Sequence, residues 1–472
     1  MSLTAIAEAV GGRLADVVDP GVQVTEPAVF DSREAGPGSL FVALEGERAD
    51  GHAFAESAHN KGAVVALVNR PVGVPAIVVD DVLHAFGRLA HTLLAGPLAA
   101  TRVVAITGSA GKTSTKDFVS QVLPGSVVAT PQSFNNEIGL PLTVTLADTT
   151  TDHLVLEMGA RHIGDIRDLT LIAPPDVSIV TNVGTAHIGE FGGRDNIAEG
   201  KGEIVEALAP GGLAVLNADD DYVQPMRERA GGAVVTFGLG EDADVRATDL
   251  RTDAHGRASF TLVTPEGSAP VRLQFVGGVQ VHNSLAAAAV GRGAGLSPDE
   301  IAARLSGALP RSRWRMETVT RADGVTLVND TYNANPTSVR HSLEALASMT
   351  GSPEQRSVAV LGRMNELGDD SRAAHEEVGR YAAAQGLDVI ILVGGEEAGW
   401  MRDGVLGAGG RATWVPDQAT ALGLLHSTLR PADVVLLKAS RGVQLQLLVD
   451  ELLKPTPPGL EREAHSSRST SR

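Results

Sequence analysis

The 472-residue chain reads as an α/β protein made of three units in series, the middle one a parallel sheet that opens into a phosphate-binding loop. Three observations predict this. Near-continuous apolar runs at Val103 to Thr107, Leu154 to Met158, Val177 to Asn182 and Leu213 to Asn217 alternate with helical stretches, as a parallel sheet covered on both faces requires. The first of these runs leads straight into Gly108-Ser109-Ala110-Gly111-Lys112-Thr113-Ser114, a glycine-rich turn that starts a helix. The length suits about three domains of ordinary size, and Gly96-Pro97 and Pro310 punctuate the chain at two places that would separate them.

Residues 1–97 alternate short strands (Ser39 to Leu44, Val64 to Val68, Ala76 to Val79) with helices and close on a helix over Val82 to Leu94. Residues 98–310 hold the apolar runs above, an alternating segment from Val245 to Phe275 expected as antiparallel strands appended to the sheet, and an Ala-rich helix from Asn283 to Ala294. Residues 311–454 form a third α/β unit with strands at Ser357 to Gly362, Val389 to Gly394 and Val434 to Lys438. After Pro455 the chain turns Pro-, Ser- and Arg-rich, a composition too poor in apolar surface to order itself, so 455–472 reads as a disordered tail.

The turn at 108–114 carries the first chemistry. Its glycines let backbone N–H groups converge on phosphate oxygens, Lys112 can reach the β- and γ-phosphates and the Thr113 hydroxyl can ligate Mg²⁺, so ATP is the first ligand to expect. The full Walker A spacing asks for glycine at position 106, where Ile stands, so the loop is a shortened one. In an open parallel sheet the ligand lies outside the carboxyl ends of the strands, which singles out Glu157 at the end of one run and His187 just past another. With Thr113 they would offer a hydroxyl, a carboxylate and an imidazole to a magnesium ion that phosphate oxygens and water complete. Taken alone, a strand-end Glu or a loop His is more often structural; their co-location at the P-loop side reverses that weighting.

Lys201 falls on the apolar stripe Ile197, Ile204, Val205, Leu208 of a helix from Asn196 to Leu208, which turns a cation toward the core. Either its stem packs while the amine snorkels to water, or desolvation favours a neutral, nucleophilic amine able to react with CO₂.

Bulk properties narrow the classes. A net charge of −18 argues against a nucleic-acid binder, and the absence of cysteine removes disulfides, thiolate zinc sites and cysteine nucleophiles. The first residues lack a basic, apolar leader pattern and no later run reaches about 18 apolar residues, so the expectation is a cytoplasmic protein without membrane insertion.

Taken together these residues resemble the Mur ligase family of ATP-dependent ligases that build the peptide stem of peptidoglycan precursors, over nearly the whole chain. Thr107 to Thr113 is similar to the family's shortened P-loop, Glu157 takes the place of its metal-bridging glutamate, and the spacing of His187 and Lys201 resembles that of its Mg²⁺-binding histidine and carbamylated lysine. The resemblance implies a central P-loop ATPase-like domain, an N-terminal UDP-binding domain and a C-terminal Rossmann-like domain. Ser133 to Thr143, with Asn135 and Asn136, and Asn329 to Pro336, with Asn333 and Asn335, resemble the member that joins D-alanyl-D-alanine to UDP-N-acetylmuramoyl-tripeptide. Any one of these asparagines is equally a turn former. Asp31-Ser32-Arg33, Pro37 to Leu44 and Asp50-Gly51-His52 resemble the UDP-sugar-binding domain, with Ser32 and Arg33 on the substrate.

By resemblance Asn283 lies beside adenine, Asp330 contacts ribose, Arg315 faces the phosphates, carbamylated Lys201 holds a second metal, and Ser440 and Arg441 close over the acceptor. The implied reaction moves the γ-phosphoryl of ATP to the tripeptide carboxylate, after which the dipeptide amine attacks the acyl phosphate, in a monomer. The dipeptide's remote carboxylate asks for a cation, which Arg441 or Arg363 could supply. Three positions depart from the pattern: Val279 and Gln280 where a Gly-x-His-Asn stretch is usual, Arg363 where an acidic residue is common, and Ala439 for a familiar glycine. A sister ligase adding one amino acid and a noncatalytic nucleotide-binding homologue are the alternatives.

Overall fold

The computed structural model describes residues 1–46, 49–351 and 354–454. Each of three sheets carries helices. The N-terminal sheet runs in the order Arg13–Ala15, Ala76–Val78, Val65–Val68, Leu40–Val42, Ala28–Val29, parallel except for its first strand. Leu40, Phe41, Val65 and Leu67 bury on both faces because helices Leu3–Val10 and Val82–Ala95 cover one side and Ala55–Asn60 the other. The Ser2 hydroxyl accepts from the Ala5 N–H and the Asp81 carboxylate from the His84 N–H, so both long helices start on a side-chain cap.

The central sheet has nine strands, ordered Gly267–Val276, Arg257–Thr264, Val245–Thr252, Ala233–Gly238, Leu213–Asn217, Val177–Val180, Arg102–Thr107, His153–Glu157, Val127–Ala129. Seven of them are mutually parallel. The segment expected as antiparallel strands pairs that way, Val245–Thr252 with Arg257–Thr264 and Arg257–Thr264 with Gly267–Val276, while Val245–Thr252 joins the sheet in parallel with Ala233–Gly238 through two residues. Alternation reports a half-buried strand and says nothing of its direction. The sheet separates two cores, one in which Phe118 of helix Lys112–Val122 stacks on Phe275 at 3.9 Å, the other holding Met158, Phe191 and Ile197. The Ala-rich helix spans Val279–Gly293, starting four residues earlier than the expected Asn283, and Gln280 and Val281 are buried in its first turn.

The third sheet runs Glu317–Thr320, Thr326–Asp330, Val434–Lys438, Ser357–Leu361, Val389–Val393, Thr413–Val415, again parallel except for the first strand. The segment leading into it is bound along helix Lys112–Val122. Gln121 exchanges hydrogen bonds with both backbone groups of Leu309, and Asp117 accepts from the N–H groups of Arg311 and Ser312 and from the Ser312 hydroxyl at 2.8 Å. Trp314 and Met316 then adopt φ of 61° and 53°, which turns the chain away. The expected tail at 455–472 lies outside the described residues, among which no helix is long and apolar enough to cross a membrane.

Candidate active site

Strand Arg102–Thr107 delivers its last residue to a turn in which two glycines have no room for a side chain. A Cβ on Gly108, at φ 149°, would strike the Thr181 hydroxyl, and one on Gly111, at φ 84°, the Asn283 side chain. Asn182 braces the turn: its carbonyl and its Oδ1 accept from the N–H groups of Ser109 and Ala110, both at 3.0 Å. The Ser109 hydroxyl accepts from the Gly184 N–H. Helix Lys112–Val122 has no side-chain cap, and its first intrahelical bond is Thr115 N–H to Gly111 C=O. The N–H groups of Gly111, Lys112, Thr113 and Ser114 thus face outward at the positive end of the helix dipole, a cradle for an anion. Lys112 curls back so that Nζ donates to the Gly108 carbonyl at 2.6 Å. Burial pulls its pKa below the ordinary lysine value, with the Glu157 charge opposing and Arg315 assisting.

Glu157 is 0 % exposed at the end of its strand. Its Oε2 accepts from the Thr113 hydroxyl at 3.2 Å, and its Oε1 is a buried oxygen without a hydrogen-bond partner. Burial pushes its pKa up, and the charges of Lys116, Arg315 and Lys112 restrain the rise. A buried acidic oxygen aimed at a hydroxyl on the first turn of the phosphate cradle suits a hard divalent cation. Lys116, whose Nζ donates to the Thr130 carbonyl and the Ser312 hydroxyl at 3.0 Å, stands 3.8 Å from Oε1 as a counter-charge without hydrogen-bonding it. Its place four residues after Lys112, on the same helix face, was the signal for it.

Lys201 settles on the buried side of the two sequence readings. It is 2 % exposed on helix Arg194–Glu206, with its pKa held well below the lysine value by burial and by the Lys112 charge. Glycines flank it: a side chain on Gly200 would meet Phe191 and one on Gly202 the Arg229 guanidinium. Arg229 in turn holds Glu199 at 3.0 Å and Glu206 at 2.8 Å, stapling the outer face of the helix. Glu203 caps helix Asp165–Ile172 from outside, accepting from Gly164 and Arg167 N–H groups.

His187, at φ 60°, begins the short helix Ile188–Phe191, and its Nδ1 lies 2.9 Å from Glu366 Oε2 of the third lobe. Among the described residues its ring makes no contact with Thr113 or Glu157 at hydrogen-bond range.

The third lobe brings further expected residues to this end of the sheet. Arg315 donates to the Ser133 hydroxyl at 3.2 Å and stacks its guanidinium 4.2 Å above the Tyr332 ring. Arg441 lies over Trp314 and Tyr332, and this group lines a cavity of about 500 Å³ beside Thr113 and Lys116. A second cavity, about 960 Å³, lies between the lobes and is lined by Asn182, Asn217, His282, Asn283, Thr337 and Arg340 among others. Asn283 is committed within the fold, its Oδ1 accepting from the Thr115 hydroxyl and its Nδ2 donating to Gln280. Asp330 Oδ2 accepts from Lys438 Nζ at 2.5 Å and from the Ser342 hydroxyl at 2.7 Å, an ion pair buried under the Thr331 to Asn335 loop. Sequence reasoning passed over Lys438, a strand-end cation in register with Asp330.

Several expected substrate residues also do local work. Asn136 Oδ1 accepts from the Gly139 N–H, and Asn335 caps helix Pro336–Met349 in a capping box with Ser338. Asn135 passes its carbonyl to the Gly159 N–H, and Asn333 Oδ1 accepts from Ala334. The Ser440 hydroxyl accepts from the Asn365 N–H and donates to the Ala334 carbonyl, while Arg363 is exposed on the neighbouring loop. Ser32 is buried and Arg33 forks onto Asp31 with bonds of 2.6–2.9 Å, which holds the Asp31 pKa down to about 2. His52 donates from Nδ1 to Asp50 and accepts the Asn69 N–H at Nε2, so its cluster with Glu45 and Asp50 leaves no imidazole nitrogen for a metal.

A P-loop on a parallel sheet, a buried acid beside its threonine and a third α/β lobe closing over both define an ATP-dependent enzyme of the multi-lobe ligase class. Family models agree along the chain: the Mur ligase family catalytic domain at 29–92, the Mur ligase middle domain at 106–291 and the Mur ligase glutamate ligase domain at 314–441. The chain belongs to the Mur ligase family. It is 44 % identical to the UDP-N-acetylmuramoyl-tripeptide–D-alanyl-D-alanine ligase of Mycobacterium tuberculosis, covering 96 % of this chain and 98 % of that one, and 34 % identical to the enzyme of that name from Bacillus subtilis over 95 % and 97 %. Among solved structures it is similar to MurF from Acinetobacter baumannii, at TM-score 0.86 and 33 % identity over 96 % and 98 % of the two chains. MurF ligase from Thermotoga maritima, solved in complex with ADP, gives 0.77 and 31 % over 90 % and 97 %.

Proposed function

We propose that the protein is an ATP-dependent amide-bond-forming ligase that joins D-alanyl-D-alanine to UDP-N-acetylmuramoyl-tripeptide, releasing ADP and phosphate, as a monomer in the cytoplasm. The observation that carries the ATP half is the cradle of outward N–H groups at 111–114 with Lys112 and the Thr113–Glu157 pair at its mouth. The acceptor half is supported by the names of the relatives at full-length coverage.

A carboxylate resists attack by an amine until one of its oxygens becomes a good leaving group. The cradle would bind the β- and γ-phosphates, and Lys112 would leave the Gly108 carbonyl to neutralise charge that builds on the transferring oxygens. The tripeptide carboxylate oxygen attacks the γ-phosphorus, the bond to the β-phosphate oxygen breaks and ADP departs. The dipeptide amine then attacks the acyl carbon, and phosphate leaves from the tetrahedral intermediate. Thr113, Glu157 and His187 would hold Mg²⁺, which supplies Lewis-acid stabilisation of phosphoryl charge. Lys201 is buried with its pKa held down, which favours the neutral amine that carbamylation needs: its Nζ would bond to the carbon of CO₂ and release a proton, replacing an amine by a carboxylate for a second cation. Arg315 would reach the phosphates, and Asn283 and Asp330 the nucleoside. Closure of the third lobe would shield the acyl phosphate from water.

Mass spectrometry of products from competing acceptors tests the reading. UDP-N-acetylmuramoyl-tripeptide with ATP and D-alanyl-D-alanine should give the pentapeptide precursor. Preferred incorporation of a free amino acid points instead to a sister ligase, and absence of product with every acceptor to a noncatalytic homologue.

A further inference from the structure

The third lobe touches the central one at a point the mechanism above leaves unused. Glu366, at φ 64°, stands on the loop that follows strand Ser357–Leu361. Its Oε2 lies 2.9 Å from His187 Nδ1 and its Oε1 3.1 Å from the Arg161 guanidinium, both on the central lobe. His187 Nδ1 is buried and, though 2.9 Å from Glu366 Oε2, is not aligned in a hydrogen bond with it in this structure, while the side chain as a whole keeps 24 % of its surface. The approach is close on either side of this pair. A Cβ on Gly189, two residues past His187, would lie 3.0 Å from the Cα and N of Gly368, two residues past Glu366.

The loop that presents Glu366 is itself built into the lobe. The Asn365 N–H donates to the Ser440 hydroxyl at 2.9 Å and the Met364 N–H to His375 Nε2 at 3.0 Å. Glu366 therefore moves with the third lobe, and Ser440 ties its loop to the neighbourhood of Asn333 and Arg441.

An imidazole binds a cation only through a nitrogen that carries no proton, and the proton resides wherever the other nitrogen finds an acceptor. We propose that Glu366 is a positioning residue for His187: by accepting the Nδ1 proton it presents the Nε2 lone pair to the metal, and it does so only while the third lobe is docked. This rests on the reading of His187 as a metal ligand. Cation affinity at the central site and the position of the acceptor lobe then become linked, and the linkage runs both ways.

The full-length protein and its Glu366→Ala, Glu366→Gln and His187→Ala variants distinguish the possibilities. Nitrogen-15 spectra of the histidine rings without metal should show His187 with its proton on Nδ1 in the parent protein and a mixture of tautomers in Glu366→Ala. Glu366→Gln, whose amide oxygen accepts the same proton, should restore the parent tautomer. In the presence of ADP, manganese affinity read by electron paramagnetic resonance should fall about 10–100-fold in Glu366→Ala, the usual cost of losing such a partner, and recover most of the way in Glu366→Gln. An unchanged tautomer together with unchanged manganese affinity in Glu366→Ala overturns the proposal. Parent-like manganese affinity in His187→Ala overturns the underlying ligand assignment instead.

Discussion

Lys112 offers a sharp separation of stability from chemistry. In the unliganded protein its ammonium makes one charged hydrogen bond, 2.6 Å to the Gly108 carbonyl, and such a bond contributes about 1.5–3 kcal/mol. Against that stands the cost of partial burial and of the nearby Arg315 cation, both of which depress its pKa. These contributions oppose one another, with the Glu157 charge on the favourable side, and Asn182 braces the turn independently, so Lys112→Ala should change the stability of the central lobe by no more than about 1 kcal/mol. The reaction has no such compensation. Removal of a single preorganised group that stabilises transition-state charge costs about 10²–10³ in rate, so ADP release with both substrates present should fall below roughly one hundredth of the parent value. Calorimetric unfolding and a coupled ADP assay on the same preparation measure both quantities. Turnover near the parent level in a folded variant would refute the role given to Lys112, and a collapse of the unfolding transition would refute the claim that the loop is braced without it.

Lys201→Ala should be inactive and regain part of its activity with added short carboxylates, which take the place of a carbamate; full activity without an additive rejects that role. The folded pKa of Lys201 lies well below the unfolded value of 10.5, so near neutral pH the unfolded chain binds the proton more readily and the native state is penalised. Lys201→Met should therefore raise the denaturation midpoint at pH 7, and the gain should fade as pH climbs through 10.5; a gain independent of pH would show that packing, not protonation, is responsible. Asp330→Asn strands the buried Lys438 ammonium and should cost the third lobe about 3–5 kcal/mol, measurable by denaturant unfolding; a loss under 1 kcal/mol would mean that the Asn333 carbonyl suffices.

How much of this was legible depended on whether a signal was local. The phosphate turn, the strand-end Glu157 and the stripe that buries Lys201 each follow from spacing within a dozen residues, and each stands where the pattern put it. Short edge strands such as Arg13–Ala15 and Glu317–Thr320 were not readable, because three or four residues at a sheet margin carry no periodicity. Asn136 and Asn335 illustrate a second limit. A cap and a ligand use the same amide oxygen, so residue type alone could not separate the two roles. Glu366 was invisible for a third reason: its partner His187 lies in another lobe, and no one-dimensional pattern records that proximity.

The attachment of residues 309–312 to helix Lys112–Val122 sets where the machine can bend. With Leu309, Arg311 and Ser312 moored to the same helix that starts the phosphate cradle, the first residues free to bend in a swing of the third lobe are the few from Arg313 to Met316. The lever would then have its fulcrum beside the phosphate cradle, and the Arg315 guanidinium, on the pivot rather than at the end of the arm, would travel less than Ser440 and Glu366. If Arg315 contacts the phosphates as proposed, a stroke measured from that origin would leave that contact in place, so acceptors could enter and products leave without the cradle being rebuilt on each turn.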